Sequence, residues 1–200
     1  MGRPRSNAGP SATMRMENAF FEALETTPFQ KVTIRQIIES AGVNRNSFYY
    51  HYTDLDDLAH SAVTKLRIPE IPRLIASGFG LDSEQVYQVV SDATAAGRFR
   101  KMSAVVGPNS TSELRGILKE VVMELWLEEF GLRYVDLEKR DILTIHYALG
   151  GLFELITRVD TKNLFLALME VRDLPIIASS VHITMKTLES AKQRVTADNG

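Results

Sequence analysis

The sequence predicts an all-helical fold, and three observations carry that prediction. Apolar residues recur at intervals of three and four along most of the chain. The periodic segments end on Gly, Pro and Asn, and strict apolar–polar alternation of the kind a half-buried strand needs has little support. The chain is long enough, at 200 residues with 44% hydrophobic and 24% charged, to bury an ordinary core.

The elements follow in order. Met16, Ala19, Phe20, Ala23 and Leu24 form the inner stripe of a first helix that must end before Pro28. A second, short helix opens at Thr33, where Thr33 and Gln36 have the spacing of a capping box. Ile34, Ile37 and Ile38 face inward. Ala41-Gly42-Val43 interrupts, and Asn44 caps a third helix. Thr53 or Asp54 caps a fourth, carrying Leu55, Leu58, Ala59, Ala62, Val63 and Leu66. Ile68-Pro69-Glu70-Ile71-Pro72 marks a hinge, dividing residues 11–67 from residues 68–200. Beyond it the spacing predicts helices at about 83–97, 99–106, 112–130, 137–158 and 175–195, with a further turn or two around 161–171. Gly78-Phe79-Gly80, Gly107-Pro108-Asn109 and Gly131 punctuate them. Residues 1–10 and the last few read as disordered.

Residues 33–51 carry the sharpest signal. Two short helices joined by a tight turn with a glycine form the arrangement that places a second helix in the DNA major groove. Ala41 lets the helices approach, Gly42 takes a positive φ cheaply, and Val43 plugs the core. Arg45, Asn46 and Ser47 then point outward, able to read base edges, while Tyr49, Tyr50 and His51 can reach phosphates. Thr33 and Arg35, at the start of the preceding helix, complete the candidate DNA-binding set. Phe48 reads as core. The arm Gly2-Arg3-Pro4-Arg5 reads as a minor-groove contact or as an untethered tail.

The run PFQKVTIRQIIESAGVNRNSFYYHYTDLDDL, from Pro28 to Leu58, resembles the N-terminal domain of the tetracycline-repressor (TetR) family. Thr33, Ile37, Ala41, Gly42, Val43, Ser47, Phe48, Tyr49 and His51 match its pattern, and Tyr52 stands for the usual Phe. One position departs from it. Where the family has a phosphate-contacting Lys at the start of the fourth helix, this chain has Leu55 among Asp54, Asp56 and Asp57. The resemblance implies a helix-turn-helix DNA-binding domain followed by a helical effector-binding and dimerisation domain. It also implies a homodimer on a palindromic operator in double-stranded DNA, released by an unidentified small-molecule effector, with no cofactor.

Two later stripes bear on that implication. Ile142, His146, Leu149, Phe153 and Ile156 are spaced 4, 3, 4 and 3, and Ile177, Val181, Thr184, Leu188, Ala191 and Val195 are spaced 4, 3, 4, 3 and 4. Such seams pair with two-fold mates as a four-helix bundle, or form the monomer's own core. Leu149, Gly150, Phe153, Ile177, Val181, Thr184 and Leu188 are the candidate dimer interface, and Gly150-Gly151 points to close backbone approach. Met102, Met123, Trp126, Phe130 and Tyr147 are the candidate pocket the resemblance implies, and read also as core aromatics and methionines.

Composition narrows the alternatives. The chain has no cysteine, which removes disulfides and thiolate chemistry and agrees with a cytoplasmic setting. The basic N-terminus has no apolar run behind it, so a secretory signal is not expected, nor is a membrane span of roughly 20 apolar residues. His146 and His182 lack carboxylate partners at metal spacing, so no metal is expected. Net charge is −2, with 8 Lys/Arg against 7 Asp/Glu in residues 1–67, so a DNA footprint must come from placement rather than bulk charge. The phosphate-loop, nucleophile-elbow, zinc-protease and dinucleotide motifs are absent, which disfavours an enzyme. A helical protein-interaction module is the remaining alternative.

Overall fold

The computed structural model describes residues 10–69, 92–158, 170–171 and 174–198, and among these it is helical without strands. The arm at residues 2–5, the glycines at 78–80, the start of the helix expected from 83 and the turns expected at 161–169 lie outside the described residues.

Helix α1, Ala12–Thr26, opens on Ser11, whose hydroxyl accepts the Met14 N–H at 3.2 Å, and it buries Met16, Ala19, Phe20, Phe21 and Leu24. A turn at Phe29–Lys31 follows Pro28. Helices α2 (Ile34–Ala41), α3 (Arg45–His51) and α4 (Leu55–Thr64) then pack around α1, with Ile37, Phe48 and Leu58 fully buried. Asp54, rather than Thr53, caps α4, accepting the Asp57 N–H at 2.8 Å.

Helix α5, Ala93–Val106, corrects the expected pair of helices meeting near residue 98. An interior glycine costs a helix only about 1 kcal/mol. Gly97 is therefore carried by its neighbours, because Ala95, Phe99, Met102 and Val106 form one unbroken inward stripe. Helix α6, Ser112–Phe130, ends at Gly131, which takes a left-handed φ of 67° while Leu132 N–H reaches back to the Leu127 carbonyl at 2.8 Å. Helices α7 (Lys139–Ile156) and α8 (Pro175–Asp198) complete the described chain.

One apolar cluster runs from Met16 in α1 to Ala191 in α8. Helix α1 packs on α5 and α4 packs on α6, so α1 and α4 join the N-terminal helices to those that follow. Polar ties fix this junction. Asn109, between α5 and α6, donates from its amide to the Leu24 carbonyl at 3.1 Å and accepts the Phe29 N–H at 2.9 Å through its own carbonyl. Arg100 makes a two-pronged pair with Glu25 at 2.6 and 2.9 Å, and Arg67, just past α4, pairs with Glu124 and Glu128 of α6.

The late seams bear on the expected dimer set. Leu149, Phe153, Ile177, Thr184 and Leu188 are buried within the single chain, where α7 packs on α8. The periodicity marked the inner stripe of each helix, and the neighbouring helix of the same chain covers it. Gly150 and Val181 are half-exposed. A Cβ at Gly150 or Gly151 would meet nothing within 4 Å among the described residues, so no close approach inside the chain requires these glycines. The opposite faces of α7 and α8 leave Leu143, Tyr147, Ile176 and Ile183 exposed. Arg194 near the end of α8 pairs with Asp141, which is buried, and with Glu138 at 3.2 Å, clasping the two helices.

Candidate nucleic-acid interface

The turn between α2 and α3 is built by local chemistry. Thr33 accepts the Gln36 N–H at 3.2 Å while the Gln36 side chain accepts the Thr33 N–H at 2.8 Å, so the capping box is present. At the other end of α2, Gly42 sits at φ 60°, ψ 41°, and Val43 N–H reaches the Ile38 carbonyl at 3.0 Å. That is a Schellman closure, and it needs a residue at ease in the left-handed region. Arg15 of α1 donates from Nε to the Ala41 carbonyl at 2.9 Å, anchoring the same helix end. Asn44 then caps α3 by accepting the Ser47 N–H at 2.8 Å.

Substitution of Gly42 tests this turn. A Cβ there would meet nothing within 4 Å among the described residues, so the cost is conformational rather than steric. Gly42→Val should cost about 1 kcal/mol or more and lower Tm by about 2–4 °C for each kcal/mol lost. Affinity for DNA should fall with it. A thermal melt that leaves Tm unchanged would contradict the turn geometry.

Helix α3 turns Phe48 into the core and leaves Arg45, Asn46, Tyr49, Tyr50 and His51 exposed, Tyr50 at 84%. Ser47 is half-buried. The Arg45 guanidinium lies over the Tyr49 ring, 5.6 Å from its centroid. That stack limits the rotamer freedom Arg45 would lose on meeting a base. Thr33 and Arg35 are exposed at the start of α2. Arg35 pairs with Glu39 at 2.7 Å, an exposed i,i+4 pair weak enough for a phosphate to displace. The exposed members of the set thus lie at the start of α2 and on α3.

Sequence reasoning missed the support beneath. The Tyr52 hydroxyl donates to Glu17 at 2.9 Å, and Lys65 reaches the same carboxylate at 2.6 Å, joining α1 to the residues that follow α3 and α4. Burial, then the hydrogen bond to Glu17, raises the Tyr52 phenol pKa, so it stays a neutral donor. This explains the hydroxyl at a position where phenylalanine would also fill the core.

Leu55 is half-buried against the core, and two of its three acidic neighbours serve the backbone. Asp54 caps α4, and Asp57 accepts the Thr53 N–H at 2.8 Å. The start of α4 is therefore capped by carboxylates, which oppose a phosphate. Leu55→Lys keeps an apolar stem over the core and adds a cation. It should steepen the dependence of log affinity on log salt by roughly 0.9 per head, on specific and unrelated duplexes alike. Salt titrations on one of each check this, and unchanged slopes would mean α4 does not approach the backbone.

Of the expected pocket residues, Trp126 lines a narrow cleft between α6, α7 and α8 with Leu152, Ile177 and Thr184. Met102, Met123 and Trp126 are core residues and Phe130 is half-buried beside Gly131. Tyr147 is 76% exposed, because it lies on the side of α7 opposite Ile145 and Leu149. Among the described residues no cluster of three His, Asp or Glu side chains is placed to hold a metal, and no helix is long and apolar enough to cross a membrane.

Comparison with known proteins adds one finding. Residues 19–62 match the family of bacterial regulatory proteins described as the tetR family. No curated protein matches the chain. The matched stretch contains the cap, the left-handed glycine and the outward face of α3, so the N-terminal helices are similar to those of tetR-family regulatory proteins, which supports a DNA-binding transcriptional regulator.

Proposed function

We propose that the chain is a repressor that binds a two-fold-symmetric operator as a homodimer and is released by a small-molecule effector, working in the cytoplasm. The observation that carries this reading is the outer face of α3. Its polar and aromatic side chains are exposed while Phe48 alone anchors the helix, which is the division a groove-reading helix needs. Thr33, Arg35, Tyr49, Tyr50 and His51 are read as backbone contacts, and Arg45 and Asn46 as base contacts, with Ser47 at their edge.

Two-fold pairing is supported by the exposed apolar residues on α7 and α8. Leu143, Tyr147, Ile176 and Ile183 sit on the helix pair farthest along the chain from the reading head. Gly150 and Gly151 on the same α7 surface leave room for another backbone to approach. This replaces the buried seam as the proposed interface. In this reading residues 11–67 are the DNA-binding head and residues 68–200 the body that pairs and responds to the effector. Effector binding shifts the population away from the head spacing that fits DNA.

A gel-shift titration of the full chain against the DNA flanking its own gene tests the reading. A retarded band that survives excess unrelated duplex is expected. Retardation equal on all duplexes, or none, would favour a helical interaction module instead.

A further inference from the structure

Helix α1 ends against a proline, and one residue of the helical body takes up the backbone groups on either side of it. In an unbroken helix the Leu24 carbonyl would accept the N–H of residue 28, but Pro28 has none. The Asn109 side-chain amide donates to that carbonyl instead, at 3.1 Å. Beyond Pro28, the Phe29 N–H donates to the Asn109 backbone carbonyl at 2.9 Å. Asn109 therefore grips the chain across Pro28, where α1 hands over to α2.

The turn that presents Asn109 is firmly built. The Gly107 N–H reaches the Ser103 carbonyl at 2.8 Å, and the Ser110 N–H returns to the Gly107 carbonyl at 3.2 Å. Arg115 of α6 donates to that same Gly107 carbonyl at 3.3 Å. Pro108 fixes one φ, and Ser110 is buried. The opposite end of α1 is tied as well, because Arg15 donates to the Ala41 carbonyl at the turn before α3. Helix α1 is thus a beam with the reading turn at one end and Asn109 at the other.

Three other ties between head and body run through charged side chains. Arg100 meets Glu25 and Arg67 meets Glu128 at exposed sites, where salt screens the attraction. Lys101 donates to Asn18 at 2.7 Å. The two bonds of Asn109 are uncharged, so salt leaves them in place. We infer that Asn109 is a positioning residue that fixes the pose of the reading head on the body by holding both sides of Pro28.

The effect on pose follows from the geometry of one chain, and the effect on DNA rests on the two-headed reading above. A head freed from Asn109 keeps its own α3 surface but samples more directions. The fraction of molecules with both heads at the operator spacing then falls, and apparent affinity falls by that fraction. Binding of one head to one half-site is indifferent to spacing.

The chain has no cysteine, so Ser40→Cys on α2 and Ser112→Cys at the start of α6, both exposed, carry the only spin labels. Helix α1, 15 residues and so about 22 Å long, keeps the labels far enough apart for a dipolar distance measurement. Labelled chain is diluted into unlabelled chain, so only distances within one chain are read. The otherwise unsubstituted protein should give one narrow distribution and Asn109→Ala a broad one, with helical content retained. Asn109→Asp, which keeps the shape and loses the donor, should broaden it too, whereas Arg100→Ala should leave it narrow. Affinity is measured without labels on the duplex retarded in the gel shift and on one half of it. Asn109→Ala should lose about fivefold per head on the whole duplex, the worth of one net hydrogen bond, and nothing on the half. A distribution that stays narrow in both Asn109 variants overturns the inference. So does equal broadening by Arg100→Ala, or a half-site affinity that falls as far as the whole. A chain that binds neither duplex sinks the regulator reading, while the distances still decide the grip.

Discussion

Replacing Arg45 with alanine is expected to weaken operator binding by roughly 1–3 kcal/mol per reading head, so about 2–6 kcal/mol for a two-headed complex. That is a loss of about 30-fold at the low end and about 10⁴-fold at the high end. The loss should fall on one base position in each half-site, with unrelated DNA affected far less. Tyr49→Phe gives the contrast. It keeps the ring beneath Arg45 and removes a hydroxyl assigned to phosphate, so it should weaken all duplexes alike. Fluorescence anisotropy on the operator and its single-base variants measures both. If Arg45→Ala lowers affinity equally on every duplex, the orientation assigned to α3 is wrong.

The second large effect concerns assembly. Tyr147→Glu combined with Ile183→Glu places like charges on the proposed interface, where the two-fold axis repeats them and pairing would desolvate them. Sedimentation should then report the 22.4 kDa chain rather than twice that mass, with helical content retained. Surface changes of this kind leave folding within about 0.5 kcal/mol. Leu188→Glu behaves differently. Leu188 is fully buried between helices of one chain, so an unpaired charge there should cost several kcal/mol and unfold the monomer. A double variant that remains dimeric would move the interface away from this face.

These two variants mark where sequence reasoning succeeds and where it stops. Local chemistry is legible. The Thr33–Gln36 capping box, the left-handed Gly42 and the Asn44 cap each depend on residues within a few positions, and each stands as expected. Periodicity locates the inner stripe of α7 and α8 but does not say which helix covers it, and so a core seam reads as an interface. The break expected between 97 and 99 is absent for a related reason. Gly97 has a local cost, but Phe99 and Met102 continue the stripe of Ala95 and hold the helix through it. Long-range polar ties have no local signature at all. Arg15 meets a carbonyl 26 residues on, Tyr52 meets Glu17 at a separation of 35, and Asn109 meets Leu24 at 85.

Selection of bound duplexes from a random pool, using the full chain, tests the central claim most directly, because it asks whether two copies of α3 read DNA. The account predicts enrichment of an inverted repeat whose half-sites lie about one helical turn, roughly 34–36 Å, or a multiple of it apart. It also predicts that Arg45→Ala relaxes one position in each half-site and leaves the spacing unchanged. A pool that shows no enriched sequence, or an enriched sequence to which Arg45→Ala is indifferent, would contradict it.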